Sequence, residues 1–307
     1  IKYLVIDEFD KCLEMGFQDE MSRLIQALPG LRRHFLLSAT EAEEIPRFVH
    51  MGRVEKIDYR MDEEQVPERV HIYKVESPVK DKLESLGMLL RSLGDQSTIV
   101  FLNYRDSVER TNKYLVEQGF STSFFHGGLE QKEREASLYR FSNGSANILV
   151  STDLASRGLD IPDIDNIIHY HMPESEDGYI HRVGRTARWE AQGRAFFLLG
   201  PEEHIPDYVD AEVEDYEIPA VEELPMPAKP KMATLYIGKG KKDKISKGDI
   251  LGFLCKKGGL NSSEIGKIDV NDRYAYAAIA RPKLRSVLNN VKGEKIKGVK
   301  TIVEEVR

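Results

Sequence analysis

The 307 residues carry a formal net charge of −7, 41% hydrophobic content and two cysteines. That length exceeds one ordinary compact domain, the apolar content is enough for packed cores, and no apolar run approaches the ~18 residues of a bilayer-spanning helix. Cys12 and Cys255 form no metal or disulfide pattern, which fits a reducing, cytoplasmic setting without membrane contact. The charge is unevenly spread: residues 1–200 sum to −8, residues 201–230 to −9 and residues 231–307 to +10. A basic module behind an acidic stretch is the electrostatic footprint of a nucleic-acid binder.

The opening Ile1-Lys-Tyr-Leu-Val-Ile6 reads as a strand rather than a secretory signal. It runs directly into Asp7-Glu-Phe-Asp10. An apolar strand ending in Asp-Glu suits a nucleotidase: Asp7 would hold Mg²⁺ through water, and Glu8 would polarise the attacking water. A helix follows, with Met21, Leu24, Ile25 and Leu28 as core and Pro29-Gly30 as its stop. Residues 34–40 form a second strand ending in the hydroxyls of Ser38 and Thr40, and residues 54–58 a last strand before an acidic hinge at 59–67.

Residues 71–75 alternate as a strand, and Leu83, Leu86, Leu90 and Leu93 mark an amphipathic helix that Gly94 ends. Strands are expected at 98–102, 122–125, 147–151, 166–170 and 194–199, with helices at 106–118, 131–141 and 176–185. Such alternation predicts a parallel, doubly wound α/β sheet. In such sheets ligands sit outside the carboxyl ends of the strands. The apolar run Ile148-Leu-Val150 ends there, in a polar loop carrying Thr152, Asp153, Arg157, Gly158 and Asp160. Arg182, Arg185 and Arg188 then recur every third residue, which would line three guanidinium groups along one helix side to meet phosphate.

Residues 201–231 hold six prolines and ten acids, a composition that reads as an extended tether. The remaining 232–307 reads β-α-β-β-α-β, the ferredoxin-like order of RNA-recognition modules. Tyr236, Tyr274 and Tyr276 would share one sheet face and stack bases. The basic residues Lys239, Lys241, Lys242, Lys244, Arg281, Lys283 and Arg285 compete with them for the role of RNA contact.

Six stretches in order resemble the DEAD-box RNA helicases: Asp7-Glu-Phe-Asp10, Ser38-Ala-Thr40, Ile99 to Arg105, His126-Gly-Gly-Leu-Glu-Gln131 with Arg134, Ile148 to Pro162, and His181 to Arg188. With the tail behind them, the chain resembles the DbpA-type members, whose tail domain recognises a structured segment of large-subunit ribosomal RNA. The resemblance implies RecA-like parallel sheets, the C-terminal part of a first domain at 1–60 and a complete second domain at 66–200. It also implies a linker at 201–231 and a small α+β RRM-like domain at 232–307. On this resemblance, Asp7, Glu8, Asp10, Ser38, Thr40, His181, Arg185 and Arg188 serve catalysis. Arg185 and Arg188 would neutralise the transferring γ-phosphate, and Gly158 and Asp160 would face the ATP ribose. Thr152, Gly128, Arg105 and Arg134 would grip RNA phosphates.

Two positions depart from the family pattern: Phe9 replaces an Ala, and Ala187 a Gly followed by Trp189. No Gly-x-x-x-x-Gly-Lys-[Ser/Thr] occurs anywhere in the 307 residues. The chain therefore reads as a fragment that hydrolyses no ATP alone. The expected parent is a monomeric, ATP- and Mg²⁺-dependent RNA helicase that pries open short duplexes during ribosome assembly. The rivals are a non-catalytic RNA chaperone whose RecA-like part is scaffold, and a DNA helicase.

Overall fold

The computed structural model describes residues 1–14, 16–38, 49, 54–57, 69–156, 164–186 and 192–306. They belong to two compact units, Ile1–Glu64 and Gln65–Arg307. In the first, β1 (Tyr3–Ile6) and β2 (Arg33–Leu36) pair in parallel, joined by α1 (Phe9–Glu14) and α2 (Gln18–Gln26). Ile25 is buried, but Leu24 points to solvent, correcting its assignment to the core. Tyr3, Val5, Phe35 and Leu37 are also exposed, an unusual state for apolar residues of a parallel pair. The last strand expected at 54–58 is absent: Val54–Ile57 carry no strand pairing among the described residues.

The second unit is built on seven parallel strands. They are β3 (Val70–Glu76), β4 (Thr98–Phe101), β5 (Thr122–Phe125), β6 (Ile148–Ser151), β7 (Asn166–His169), β8 (Gly193–Leu199) and β9 (Val213–Asp215), in the order β5-β6-β4-β7-β8-β3-β9. The central strands are apolar on both faces, as burial between helix layers demands. Val100, Leu102, Val150 and Ile168 face α3 (Leu83–Leu93) and α4 (Arg105–Glu117), while Ile99, Phe101, Leu149 and Ile167 fill the opposite face. Two further helices, α5 (Gln131–Ser142) and α6 (Glu176–Val183), complete the layers. Ser175 starts α6, its Oγ accepting from the Gly178 N–H at 3.1 Å.

The acidic stretch is not a free tether. Val213–Asp215 adds the seventh strand beside β3, Tyr216 packs against Tyr73 and Phe196, and Leu224 is buried. The Arg91 guanidinium donates to the carbonyls of Leu224 and Pro225 at 2.7 Å each. Sparse apolar residues among many acids were enough to seat the strand, because the edge of β3 offered its backbone groups.

The tail adds β10 (Met232–Ile237), α7 (Lys247–Lys256), β11 (Ile265–Val270), β12 (Ala275–Ala280) and α8 (Leu284–Asn290). A hairpin of β13 (Lys295–Ile296) and β14 (Val299–Lys300) precedes β15 (Val303–Glu305), where the sequence suggested one continuous strand. The sheet is antiparallel, β11-β12-β10-β15, with both helices over one face. No described helix is long and apolar enough to cross a membrane.

Candidate functional site: the strand ends of two parallel sheets

In the first unit, the carboxylate loop sits at the end of β1. Asp7 is exposed, and its Oδ1 accepts the Glu8 N–H at 2.9 Å. Glu8 holds a φ of +48°, a left-handed conformation that costs a non-glycine residue energy and recurs at functional loops. Phe9 is buried, and its N–H donates to the Leu37 carbonyl at 2.9 Å. Asp10 is buried on α1, and Ser38 follows β2. Thr40 lies outside the described residues. A hard, exposed carboxylate oxygen with one lone-pair set uncommitted suits water-mediated Mg²⁺, which is commonly held by one or two carboxylates plus phosphate. Among the described residues no group of three metal-ligating side chains forms.

In the second unit, the carboxyl ends of β4, β5 and β6 bring several expected RNA contacts together. The Thr152 N–H donates to Phe125 O at 3.2 Å, tying the β6 end to the β5 end. Gly127 and Gly128 follow β5, where added Cβ atoms would lie 3.5 Å from the Arg105 side chain. The loop is braced by His126, whose Nδ1 accepts from Gly128 N–H at 3.1 Å while Nε2 meets Glu109 at 3.1 Å. Arg105, Gly128 and Thr152 therefore form one neighbourhood, and Arg134 sits in the first turn and a half of α5.

The three-arginine helical face is not formed. Helix α6 ends at Val183, so Arg185 follows the helix, and Arg188 lies outside the described residues, as do Gly158 and Asp160. Arg182 is 0% exposed and faces inward, not toward phosphate. Its guanidinium forms a two-pronged ion pair with Asp153, with Nη2–Oδ2 at 3.0 Å. It also donates to His171 O and Asn103 Oδ1, each at 2.8 Å. The period-three spacing was visible in the sequence, but which arginine turned inward depended on an acid 29 residues upstream. His181 Nδ1 lies 2.7 Å from Asp177 O and 3.1 Å from the Asp177 carboxylate. Arg185 and Thr186 are pinned beside β7: Ile164 N–H donates to Arg185 O at 3.3 Å, and Thr186 Oγ1 donates to Ile164 O.

The tail's tyrosines do not present an open stacking face. Tyr276 is 3% exposed and stacks on Tyr139 of α5, with centroids 5.0 Å apart. The Tyr274 hydroxyl donates to Glu135 at 2.7 Å, and the Lys132 ammonium lies 5.4 Å from the Tyr236 ring centre. Burial pushes the phenols of Tyr139 and Tyr274 well above their ordinary range. The expectation that these three rings stack bases is corrected for this arrangement: helix α5 occupies the face. Among the basic residues, Arg281 is structural, donating to Pro230 O at 2.8 Å and Ser145 O at 3.2 Å. Lys241 and Lys242 stand on the exposed turn after β10.

Comparison with known proteins matches this layout. The model for DEAD/DEAH box helicases matches residues 1–48, that for the helicase conserved C-terminal domain residues 81–190, and that for the DbpA RNA binding domain residues 234–305. The chain is 34% identical over 304 residues to the ATP-dependent RNA helicase DbpA of Escherichia coli, covering 96% of this chain and 65% of that protein. It is 30% identical over 326 residues to the Bacillus subtilis protein of the same name, covering 97% and 68%. The chain belongs to the DbpA-type DEAD-box RNA helicases. It spans about two thirds of the length of these relatives. The fold is shared with S. cerevisiae Dbp5 bound to RNA and ADP BeF3, at a TM-score of 0.57 and 24% identity over 70% of this chain and 59% of that one.

Proposed function

We propose that this chain serves an ATP- and Mg²⁺-dependent helicase that opens short RNA duplexes, with ribosomal RNA of the assembling large subunit as substrate. The observation that carries this reading is the neighbourhood of Arg105, Gly127-Gly128 and Thr152 at the carboxyl edge of the second sheet. Glycine lets the main chain approach a phosphate, and the flanking guanidinium and hydroxyl donate to it. Asp7 and the strained Glu8 supply the metal-side carboxylate and the group that orients water. When bound, Mg²⁺ would neutralise charge on the triphosphate. Arg185 and Arg188 would stabilise the transferring phosphoryl group, and Gly158 and Asp160 would hold the ribose. His181 would link hydrolysis to RNA through the Ser38 and Thr40 loop. The setting is cytoplasmic and the working form a monomer.

The 307 residues contain no glycine-rich loop with a lysine to cradle the β- and γ-phosphates, so the chain alone is inactive in this reading. The exposed Tyr3, Val5, Phe35 and Leu37 support a first unit whose sheet functions with further covering structure. RNA-stimulated phosphate release is the test. The chain alone should give none above background. A version with a P-loop-bearing RecA-like segment joined before Ile1 should hydrolyse ATP, and Arg185→Ala in that version should abolish turnover while sparing RNA binding. Robust hydrolysis by the 307 residues alone would refute the inactivity, and a joined version that binds RNA but never hydrolyses ATP would favour the chaperone reading.

A further inference from the structure

Between α5 and the tail lies a groove of about 710 Å³, lined by Lys241 and Tyr276 together with residues that no motif assignment uses. One wall is the face of α5 carrying Glu135, Leu138, Tyr139 and Ser142, spaced as one helical side. The other comes from the tail: Lys241, Ile245 and Lys247 from the turn before α7 and its start, Lys267 and Asn271 from β11 and the residue after it. Tyr139 and Tyr276 close the floor, stacked on each other and nearly inaccessible, so they offer no free ring face.

The chemistry of the lining selects a ligand that is anionic at one end and carries hydrogen-bonding edges at the other. Three lysines reach the rim. Two carboxylates share the lining: Asp269 lies 3.5 Å from Lys267 and 3.8 Å from Lys247 and partly offsets both, and Glu135 accepts from Tyr274 and Gln131. Lys241 makes no ion pair among the described residues. The Asn271 backbone is fully engaged, its N–H with Tyr274 O and its O with Lys241 N–H, while its side-chain amide has no partner among the described residues. The backbone that carries it is closely packed: a Cβ at Gly240 would collide with the main chain of Asn271 and Asp272. Leu138 and Val270 supply apolar wall. An uncommitted amide beside apolar surface reads a base edge, and lysines at the rim hold the flanking phosphates.

Resting on the RNA-binding reading, we propose that this groove takes one unpaired nucleotide, splayed out of the RNA that the tail holds. Its size falls within the range of small-ligand sites. Because its two walls belong to the second RecA-like domain and the tail, a nucleotide seated there clamps the two together. RNA capture and tail docking then reinforce each other, as linkage requires.

The test uses the full chain and three single-stranded probes, ten-nucleotide oligoadenylate, oligouridylate and oligocytidylate, titrated by fluorescence anisotropy across a salt series. Lys241→Ala should lower affinity for all three alike and reduce the salt slope by about one. Asn271→Ala should lower affinity for the preferred homopolymer by about fivefold or more and flatten the preference, with the salt slope unchanged. Leu138→Trp, which fills the groove, should weaken all three, with far-UV circular dichroism reporting that the fold is retained. If Asn271→Ala leaves affinity and preference untouched, the groove is not a nucleotide site, even where Lys241→Ala weakens binding through the outer surface. If the unaltered chain binds none of the probes nor a structured hairpin RNA, the RNA-binding reading itself fails and this proposal with it.

Discussion

Replacing Arg182 by Met tests whether the inward arginine is the brace of the second domain. The side chain is fully buried, and its guanidinium serves four acceptors: both oxygens of Asp153, Asn103 Oδ1 and His171 O. Methionine fills much of the volume but donates nothing. Leaving Asn103 and His171 O unsatisfied costs about 1–3 kcal/mol for each group that stays dry. The loss of the ion pair adds less than the ~3–5 kcal/mol of a fully buried pair, because the Asp153 side chain is 45% exposed and water replaces part of what it loses. Together these place Arg182→Met about 3–5 kcal/mol below the unaltered chain. Arg182→Lys should fall between, since lysine keeps the charge and loses the fork. Urea unfolding followed by far-UV circular dichroism measures both, and a cycle with Asp153→Asn isolates the pair. An Arg182→Met variant within about 0.5 kcal/mol of the original would show that the brace bears no stability.

Other outcomes follow from the same geometry. Gly193→Ala forces a Cβ into Thr186 Oγ1 and should cost about 1–3 kcal/mol; Thr186→Ala in the same chain should recover part of the loss in thermal melts. Near the carboxyl end of the same strand, the buried Lys82 ammonium pairs with Glu203 and donates to Leu198 O at 2.8 Å. Burial alone would raise the Glu203 carboxyl, but Lys82 and the Gly200 N–H outweigh it and hold it below 4.5. That stabilisation is present above 4.5 and is lost as pH falls through the lower folded value, so Glu203→Gln should flatten the acid limb of a stability–pH curve. In the tail, the Ser246 hydroxyl and N–H, with Lys297, hold Asp249 down to about 2. Its contribution is present above 3.8 and disappears as pH falls through about 2, and Asp249→Asn should remove that dependence from acid unfolding. Tyr139→Ala should loosen the tail from α5, read as faster amide hydrogen exchange in both α5 and β12; unchanged exchange would mean that the stacked pair contributes nothing to docking.

Local patterns carried much of the second unit and the tail. The short runs Thr98–Phe101, Ile148–Ser151 and Asn166–His169, each with an apolar centre, are strands, and Leu83, Leu86, Leu90 and Leu93 do face the core. What failed was whatever depended on distant partners. Val213–Asp215 has no strand signature of its own, and it pairs because β3 left an edge open. The tyrosines of β10 and β12 alternate as an exposed face should, and only Tyr139 on a remote helix reveals that the face is covered. Leu24 fits a helical apolar stripe yet lies outside it, because the helix presents Ile25 inward instead.

Arg182 shows how the same sheet explains the placement of the site. In the order β5-β6-β4-β7-β8-β3, the chain moves outward from β4 to β5, returns to β6, and then crosses to β7 on the other side of β4. The crevice of such a sheet opens where the winding reverses, at the carboxyl ends of β6, β4 and β7. Those ends carry Asp153, Asn103 and His171, and the guanidinium of Arg182 bonds all three, with Asn103 N–H adding a bond to His171 Nδ1 at 3.1 Å. A crevice that other doubly wound proteins leave for a ligand is here filled by a protein cation. On the proposed function, ligand contacts would then come from its rims: Thr152, Gly127-Gly128 and Arg105 on the β5 side, Arg185 just after α6. The brace and the rims share residues adjacent in sequence, Thr152 with Asp153 and Arg182 with Arg185. A change that loosens the brace should therefore disturb both rims at once. Isolated loss at one rim on substituting Arg182, seen as altered RNA affinity with unaltered nucleotide affinity in a P-loop-bearing version, would contradict that coupling.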